Sequence, residues 1–287
     1  MMRCFKGLSW VFVCVCVSVS NVAADYTLML NEFRGGKEKV RWQPLADYLT
    51  QQLGQAVKIR SIKPSGIVKR SKRADFILAN PVVTNKVADQ YGFKPIATLN
   101  HKKSGSQLSG LIIVREDSPI HNLQGLKGKK VAVVNKKNAA GGFMFQAYEL
   151  FKIGFDPAKD FQSFLEIQNQ NAIILRVIKG QLDAGFVRSG QLQQLLKQNK
   201  KVDMSQVRIL NQQGDENRST ELFPHWAFSA KQDMPADVVA KVKQALLEMT
   251  PDMLASQSAN IKGFVAPGDY GLLKIVMEKL KVHKFKH

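Results

Sequence analysis

The chain has 287 residues, and its 42 lysines and arginines outnumber its 23 aspartates and glutamates, which gives a formal net charge of +19 at pH 7. This excess of positive charge favours anionic partners over cationic ones. All three cysteines, Cys4, Cys14 and Cys16, lie among the first 24 residues, so the remainder of the chain has no disulfide and no thiolate metal site.

The N-terminal residues have the pattern of a secretory signal peptide. Arg3 and Lys6 form a basic start, residues 8–19 are apolar, and the small residue Ala24 fits a cleavage site. The apolar run is shorter than a membrane-spanning helix requires. We therefore expect residues 1–24 to be removed and the protein to reach the periplasm.

After residue 24, short apolar runs alternate with segments of helical periodicity. The predicted strands are, in chain order, YTLML, VKIRSI, DFILAN, PIATL, SGLIIVR, KVAVVN, SFLEI, DAGFV and VRIL. The predicted helices cover residues 40–53, 84–91, 142–153, 172–179, 190–198, 236–249 and 270–280. Strands that alternate with helices of this length are typical of parallel α/β sheets. In the first helix, Trp42, Leu45 and Leu49 recur at helical spacing, which predicts a buried face.

The motifs of common enzyme classes are absent from the sequence. It has no Gly-Lys-Ser phosphate loop and no dinucleotide-binding glycine fingerprint, and its five histidines are scattered without metal-ligand spacing. We therefore expect no cofactor, no metal site and no enzymatic activity. An enzyme built on this chain would need a general base, for which Glu32, Asp183 and a few tyrosines are the candidates.

Three segments resemble periplasmic substrate-binding proteins of the phosphate, phosphite and phosphonate group. They are SGLIIVREDSPIHNLQGLKGKKVAVVN (109–135), ADFILANP (74–81) and GQLDAGFVRSGQL (180–192). Two further segments, RGGKEKVRWQPLADYL (34–49) and STELFPHWAF (219–228), are most similar to the extracytoplasmic sensor domains of tetrathionate-sensing histidine kinases, a branch of the same fold.

The resemblance implies a two-lobed α/β fold, the type II periplasmic binding protein, in which each lobe is a mixed sheet flanked by helices. The ligand cleft is expected between the lobes. The implied division places lobe I in residues 25–113, lobe II in 114–213, and a return segment of lobe I with the C-terminal helices in 214–287.

The same resemblance implies a function. We expect capture of a small oxyanion, phosphate- or phosphonate-like or a sulfur oxyanion, for the permease of an ABC importer or for a membrane sensor kinase, by a monomeric protein. A periplasmic enzyme on the same scaffold and a basic surface protein that binds polyanions are the alternatives. A nucleic-acid partner is not expected, because aromatic residues rarely interleave with the basic ones as a stacking surface requires.

The sequence departs from the phosphonate binders at the start of one helix. Those proteins tend to have a Ser-Thr-Ser run there, whereas this chain has Asn138, Ala139, Ala140, Gly141 and Gly142. With the hydroxyls gone, we expect the backbone N–H groups of this segment to hold the ligand at the positive end of the helix. Gly141 and Gly142 would let a ligand approach the backbone, although the pair could equally form only a tight strand-to-helix turn.

Two arginines are candidates for oxyanion binding. Arg34 and Arg188 each follow a predicted strand, and an arginine fork can bind an oxyanion through two parallel hydrogen bonds. Gly35 adds a backbone donor beside Arg34. Each arginine could instead pair with an acid, Glu32 or Asp183, in a salt bridge.

Three polar residues complete the candidate site. Asn80 ends a predicted strand before Pro81, so it is a candidate helix N-cap as well as a cleft residue. Ser219 and Thr220 belong to the second predicted crossing between the lobes. Their hydroxyls could donate to a ligand there or cap the turn before Pro224.

A basic cluster lies in the segment VKRSKR. It consists of Lys69, Arg70, Lys72 and Arg73. We interpret it as a solvated outer face of a lobe rather than a docking surface. It is therefore the natural reference for charge that lies outside the cleft.

Overall fold

The computed structural model describes residues 25–32, 36–199, 202–214 and 217–284. The predicted signal peptide lies outside these ranges. Within them, no helix combines the length and the apolar character that a bilayer crossing requires.

The described residues form two large sheets and one small one. The strands are β1 Tyr26–Asn31, β2 Val57–Ile62, β3 Phe76–Ala79, β4 Phe93–His101, β5 Gln107–Leu108, β6 Gly110–Arg115, β7 Lys130–Val133, β8 Ser163–Glu166, β9 Ala184–Arg188, β10 Val207–Leu210, β11 Phe223–Pro224, β12 Ala227–Lys231 and β13 Ile261–Val265. The first sheet has the order β13-β4-β12-β3-β1-β2, the second has the order β10-β6-β9-β7-β8, and β5 pairs with β11.

Strand direction is mixed in both large sheets. β1 runs parallel to β2 and β3, whereas β12 runs antiparallel to β3 and β4. In the second sheet β7 runs parallel to β8 and β9, and β6 runs antiparallel to β9 and β10. The parallel direction predicted from strand–helix alternation is therefore wrong for β6. β12 and β13, which also run against the parallel strands, were not predicted as strands. β6 and β12 are the first strands of a large sheet after the two passages between the sheets, so each enters its sheet from the side of the other sheet.

The helices lie on the faces of the sheets. They are α1 Lys37–Leu53, α2 Ile67–Ser71, α3 Pro81–Tyr91, α4 Phe145–Lys152, α5 Gln170–Ile178, α6 Gln191–Gln198, α7 Ala236–Leu247, α8 Leu254–Ala259 and α9 Leu272–Lys279, and a π-helical turn, Ala140–Met144, leads into α4. Each predicted helix overlaps one of these, while the short α2 and α8 were not predicted. The predicted face of α1 is buried, because Trp42, Leu45 and Leu49 pack in the core of the first sheet.

The chain passes between the two large sheets twice. β4 ends at His101 in the first sheet and β6 begins at Gly110 in the second; β10 ends at Leu210 and β12 begins at Ala227. The C-terminal helix α9 packs beside the second sheet, where Leu273 joins the cluster that contains residues of α4. The exact lobe boundaries expected from the sequence stay a prediction.

Candidate functional site

The two sheets meet where the start of α3 contacts the loop that follows β7. Asn80 caps α3, since its Oδ1 accepts from Val82 N at 2.9 Å and from Val83 N at 3.1 Å. Its Nδ2 donates to Asn138 O at 3.2 Å. The predicted N-cap is thus confirmed, and the same side chain also links the first sheet to the loop of the second.

Lys86, nearly two turns further along α3, strengthens this contact. Its Nζ donates to Lys137 O and to Asn138 Oδ1, both at 2.8 Å. Burial, together with the nearby charge of Lys137, lowers the pKa of Lys86 to about 8. Among the described residues, Lys86 is held by neutral oxygens, so it leaves positive charge beside the loop. No local sequence pattern indicates this role.

The loop after β7 delivers the start of a helix to this contact. Asn135 Oδ1 accepts from Lys137 N at 2.9 Å and from Asn138 N at 2.8 Å, which turns the chain. The helical ladder begins with Met144 N, which donates to Ala139 O at 3.0 Å. The backbone N–H groups of residues 140–143 precede that first bond, as the first N–H groups of any helix do, and they carry its positive end.

The two glycines of this turn are there for packing. A Cβ at Gly142 would lie 2.5 Å from Val134 Cγ2, and one at Gly141 would lie 2.9 Å from Ser109 O and 3.2 Å from Arg188 Cβ. Both absent side chains thus point at the protein's own atoms. We expected these glycines to let a ligand approach the backbone, and the structure gives a different reason for the missing side chains. The helix turn instead packs tightly against Val134, which follows β7, and against Arg188 at the end of β9, so the backbone at Gly141 lies beside Arg188.

Arg188 is half-buried at the end of β9, beside that turn. Its guanidinium donates from Nη2 to Gln194 Oε1 at 2.6 Å and from Nη1 to Ser189 O at 3.4 Å. The alternative partner Asp183 lies five residues back, which in an extended strand is roughly 16 Å. Its Oδ2 accepts from Lys130 N at 2.7 Å. The salt bridge between Asp183 and Arg188 is therefore not formed.

Two histidines lie within the electrostatic influence of Arg188. The rings of His101 and His225 stack with centroids 5.7 Å apart and an interplanar angle of 5°. Burial, followed by the charges of Arg188, Arg41 and Lys103, lowers the pKa of His101. Burial, followed by His101, Arg188 and Arg41, lowers the pKa of His225 to about 3. Arg188 belongs to the second sheet and Arg41 to α1 on the first, so positive potential from both sheets converges on the histidines.

Sequence reasoning missed this pair because the two residues are far apart along the chain. Antiparallel pairing of β12 with β4, with Ala227 opposite Thr98, brings His225 next to His101. Tyr270 fixes the same corner, since its hydroxyl donates to His225 O at 3.0 Å and bonds Thr98 Oγ1 at 2.8 Å.

Ser219 and Thr220 serve the sheet rather than the cleft. Both are fully buried. Ser219 Oγ accepts from Ile112 N at 2.8 Å and Thr220 Oγ1 accepts from Gly110 N at 3.0 Å. Their hydroxyls therefore satisfy the backbone of β6. The expectation that they donate to a ligand is corrected, because buried N–H groups of a strand need these acceptors.

Arg34 and Gly35 lie outside the described residues, so their roles stay predictions. Just before them, Asn31 ends β1 and is 1% exposed, and neither polar atom of its side chain has a hydrogen-bond partner among the described residues. Because a buried amide without partners is costly, Asn31 is a further candidate for polar contact at this strand end. Within the described ranges, no group of three or more acidic, cysteine or histidine side chains is arranged to hold a metal.

A comparison with protein families shows which family the chain belongs to. Residues 31–270 match the family described as the periplasmic substrate-binding protein of the phosphonate ABC transporter. The chain belongs to this family. Its members bind substrates and are not enzymes, as the sequence predicted, and membership implies a periplasmic location, a small ligand and a membrane permease as partner. No curated protein matches the sequence.

Solved structures show the same fold at low identity. XAC2383 from Xanthomonas citri, bound to ATP, superposes with a TM-score of 0.73 at 18% identity, over 90% of this chain and 99% of that one. PhnD1 from Prochlorococcus marinus, in complex with methylphosphonate, gives 0.67 at 15% identity, over 90% and 98%. A binding-protein component of a phosphonate transporter from Pseudomonas aeruginosa gives 0.65 at 16% identity, over 90% and 88%. The type II periplasmic-binding-protein fold is therefore confirmed, while the narrower likeness to tetrathionate sensors stays a prediction.

Proposed function

We propose that this family member captures a small oxyanion in the cleft between its two sheets and delivers it to a membrane permease. The observation that carries the proposal is the position of Arg188 against the helix turn at Gly141, where a Cβ would lie 3.2 Å from Arg188 Cβ. An arginine fork and the N–H groups of a helix start, presented side by side, form a site for a tetrahedral oxyanion.

Electrostatics supports the same location. Arg188 and Arg41 lower the pKa of His101 and of His225, so their charges are felt at one place from both sheets. The basic cluster on the outside differs in this respect, since Lys69, Arg70, Lys72 and Arg73 are all exposed to solvent. Charge in a cleft between sheets is screened by salt much less than charge on such a surface.

The chemistry of the turn narrows the class of ligand. Asn138, Ala139 and Ala140 supply no hydroxyl. The donors that remain are backbone N–H groups and guanidinium N–H groups, which bind oxygen atoms without regard to the central atom. Phosphate, methylphosphonate, sulfate and thiosulfate are therefore the compounds to compare, and the sulfur oxyanions belong to the proposal as much as the phosphorus ones.

A thermal-shift panel of these four anions, followed by titration calorimetry, tests the proposal. A ligand at about 100 times its Kd should raise the free energy of unfolding by roughly 2.7 kcal/mol. Arg188→Ala should weaken the best-binding anion by roughly ten- to a hundredfold, because a charge-assisted hydrogen bond contributes roughly 1.5–3 kcal/mol. The loss should persist at high salt.

The matched control is a variant in which Lys69, Arg70, Lys72 and Arg73 are all replaced by glutamine. We expect its affinity to stay close to that of the wild type. If the control loses the anion while Arg188→Ala keeps it, the site lies on the outer face and not in the cleft. If none of the four anions stabilises the protein, capture of a small oxyanion is wrong.

The choice between delivery to an importer and presentation to a sensor kinase needs a different observation. We propose the importer because the family is one of transporter binding proteins. Co-purification of the protein with a permease encoded beside it would support this role, and co-purification with a histidine kinase would replace it. Light scattering should give the mass of a monomer.

A further inference from the structure

We infer that His101 and His225 form a pair of neutral donors, each of which directs an Nε2–H group to the bound oxyanion. This inference rests on the proposed function and names two ligand contacts that the family's helix turn does not include. It is built from the hydrogen bonds that fix each ring.

The ring nitrogen Nδ1 is occupied as an acceptor in both residues. His101 Nδ1 accepts from Lys103 N at 3.2 Å and from Ser104 N at 3.4 Å. His225 Nδ1 accepts from Trp226 N at 2.8 Å. A nitrogen that accepts a backbone N–H carries no proton, so the proton of each neutral imidazole lies on Nε2.

The Nε2 atoms are available for a ligand. Within the described part of the chain, no hydrogen-bond partner is recorded for Nε2 of His101 or of His225. The rings are parallel and stacked, so neither ring uses the other as a hydrogen-bond acceptor. His225 is 8% exposed and His101 is half-buried, which makes an unmatched donor costly there and a ligand oxygen a favourable partner.

Burial, followed by the surrounding charges, disfavours the protonated form of both rings. Arg41 on α1, Lys103 in the loop after β4 and Arg188 after β9 are the cations that act on the pair, and the Tyr270 hydroxyl bonds the carbonyl of His225. Burial and these cations disfavour a positive charge on either imidazole. The pair therefore donates as neutral N–H groups near neutral pH, and the cationic side chains around it supply the charge.

Asparagine and glutamine variants separate the two nitrogens of each ring. In His225→Asn, Oδ1 stands at the place of Nδ1 and can still accept from Trp226 N, but the Nε2–H donor is lost. In His225→Gln, the amide nitrogen reaches the place of Nε2 and keeps a donor. His101→Asn and His101→Gln make the same comparison at the other ring.

Titration calorimetry with phosphate, methylphosphonate, sulfate and thiosulfate measures the effect. For the anion that binds the wild type best, each Asn variant should lose about tenfold or more in affinity, and each Gln variant should recover part of it. For His225→Asn, the ratio of wild-type to variant affinity should be the same at about pH 5.5 and about pH 7.5, because the pKa of His225 is lowered to about 3 and the ionisation of the anion cancels in the ratio. A ratio that falls as the pH rises would mean that protonated histidines bind the anion, and would overturn the inference.

Nitrogen NMR of the imidazoles gives a second measurement that does not need activity. We expect both rings to be Nε2–H tautomers without ligand, and the Nε2 resonances to move when the anion is added. An Nδ1–H tautomer, or unchanged affinity in both Asn variants while the wild type binds, would refute the histidine donors and leave the proposed function intact. If no anion binds the wild type, both fail.

Discussion

Replacing Gly142 by alanine tests why the helix turn contains a glycine pair. The new Cβ would lie 2.5 Å from Val134 Cγ2 and 3.0 Å from Val134 Cβ, where a normal contact between carbon atoms is about 3.5–4.0 Å. Val134 is β-branched and therefore stiff at χ1, so it cannot turn away without strain. Overpacking of this kind costs roughly 1–3 kcal/mol. The gain from a less flexible unfolded chain offsets roughly 0.4–1 kcal/mol of it, so Gly142→Ala should destabilise by roughly 0.5–2 kcal/mol.

A double-mutant cycle in urea isolates that contact. Val134→Ala removes Cγ2, so in its background Gly142→Ala should lose most of its cost, with a coupling energy of roughly 1–3 kcal/mol. If the glycine existed to admit a ligand, Gly142→Ala would leave the free energy of unfolding unchanged and abolish anion binding. Additive effects of the two substitutions would refute the packing explanation.

Three further predictions concern residues around the cleft. Ser219→Ala and Thr220→Val should each destabilise the fold by about 1 kcal/mol or more in urea, because each leaves a buried N–H of β6 without its acceptor, and neither should change anion affinity. Asn80→Ala should lower the free energy of unfolding by about 1 kcal/mol through loss of the cap of α3, and Asn80→Ser should restore most of it. Because the pKa of Lys86 is lowered from 10.5 to about 8, the unfolded state binds more protons between these two values. The free energy of unfolding of the wild type should therefore rise from about pH 8 to about pH 10. Lys86→Met lacks the titrating group and should not show this rise. Parallel pH profiles of the two proteins would contradict the prediction.

Local patterns were enough to predict the longer helices and nine of the strands, but not α2, α8, β5, β11, β12 and β13. The apolar periodicity of residues such as Trp42 and Leu45 depends on neighbours within one helix, and the structure buries the predicted face. Short helices such as α2 lack enough turns to show such a pattern. Strand direction was harder to predict from the sequence. The directions of β6 and β12 depend on where the chain crosses from one sheet to the other.

The candidate site could be predicted from the sequence only where its residues lie in one continuous segment. The turn at Asn138 and the position of Arg188 at the end of a strand could be inferred from the sequence. Ser219 is different, since the sequence shows a hydroxyl but not the β6 backbone that it meets. The histidine pair is set by the pairing of β12 with β4, and no local spacing reveals it.

The net charge of +19 does not explain the cleft, because the exposed basic cluster contributes to that number and acts mainly through screened, long-range attraction. The proposed site differs because its cations come from both sheets and act on two imidazoles whose pKa is lowered by burial and then by these cations. If the histidines were charged as well, the lobes would repel each other before a ligand arrived. Neutral donors add hydrogen bonds without adding that repulsion, so the number of N–H groups can exceed the charge that the ligand must balance. On the proposed function, a small anion of low charge would therefore be fully hydrogen-bonded here and would bring the two sheets together.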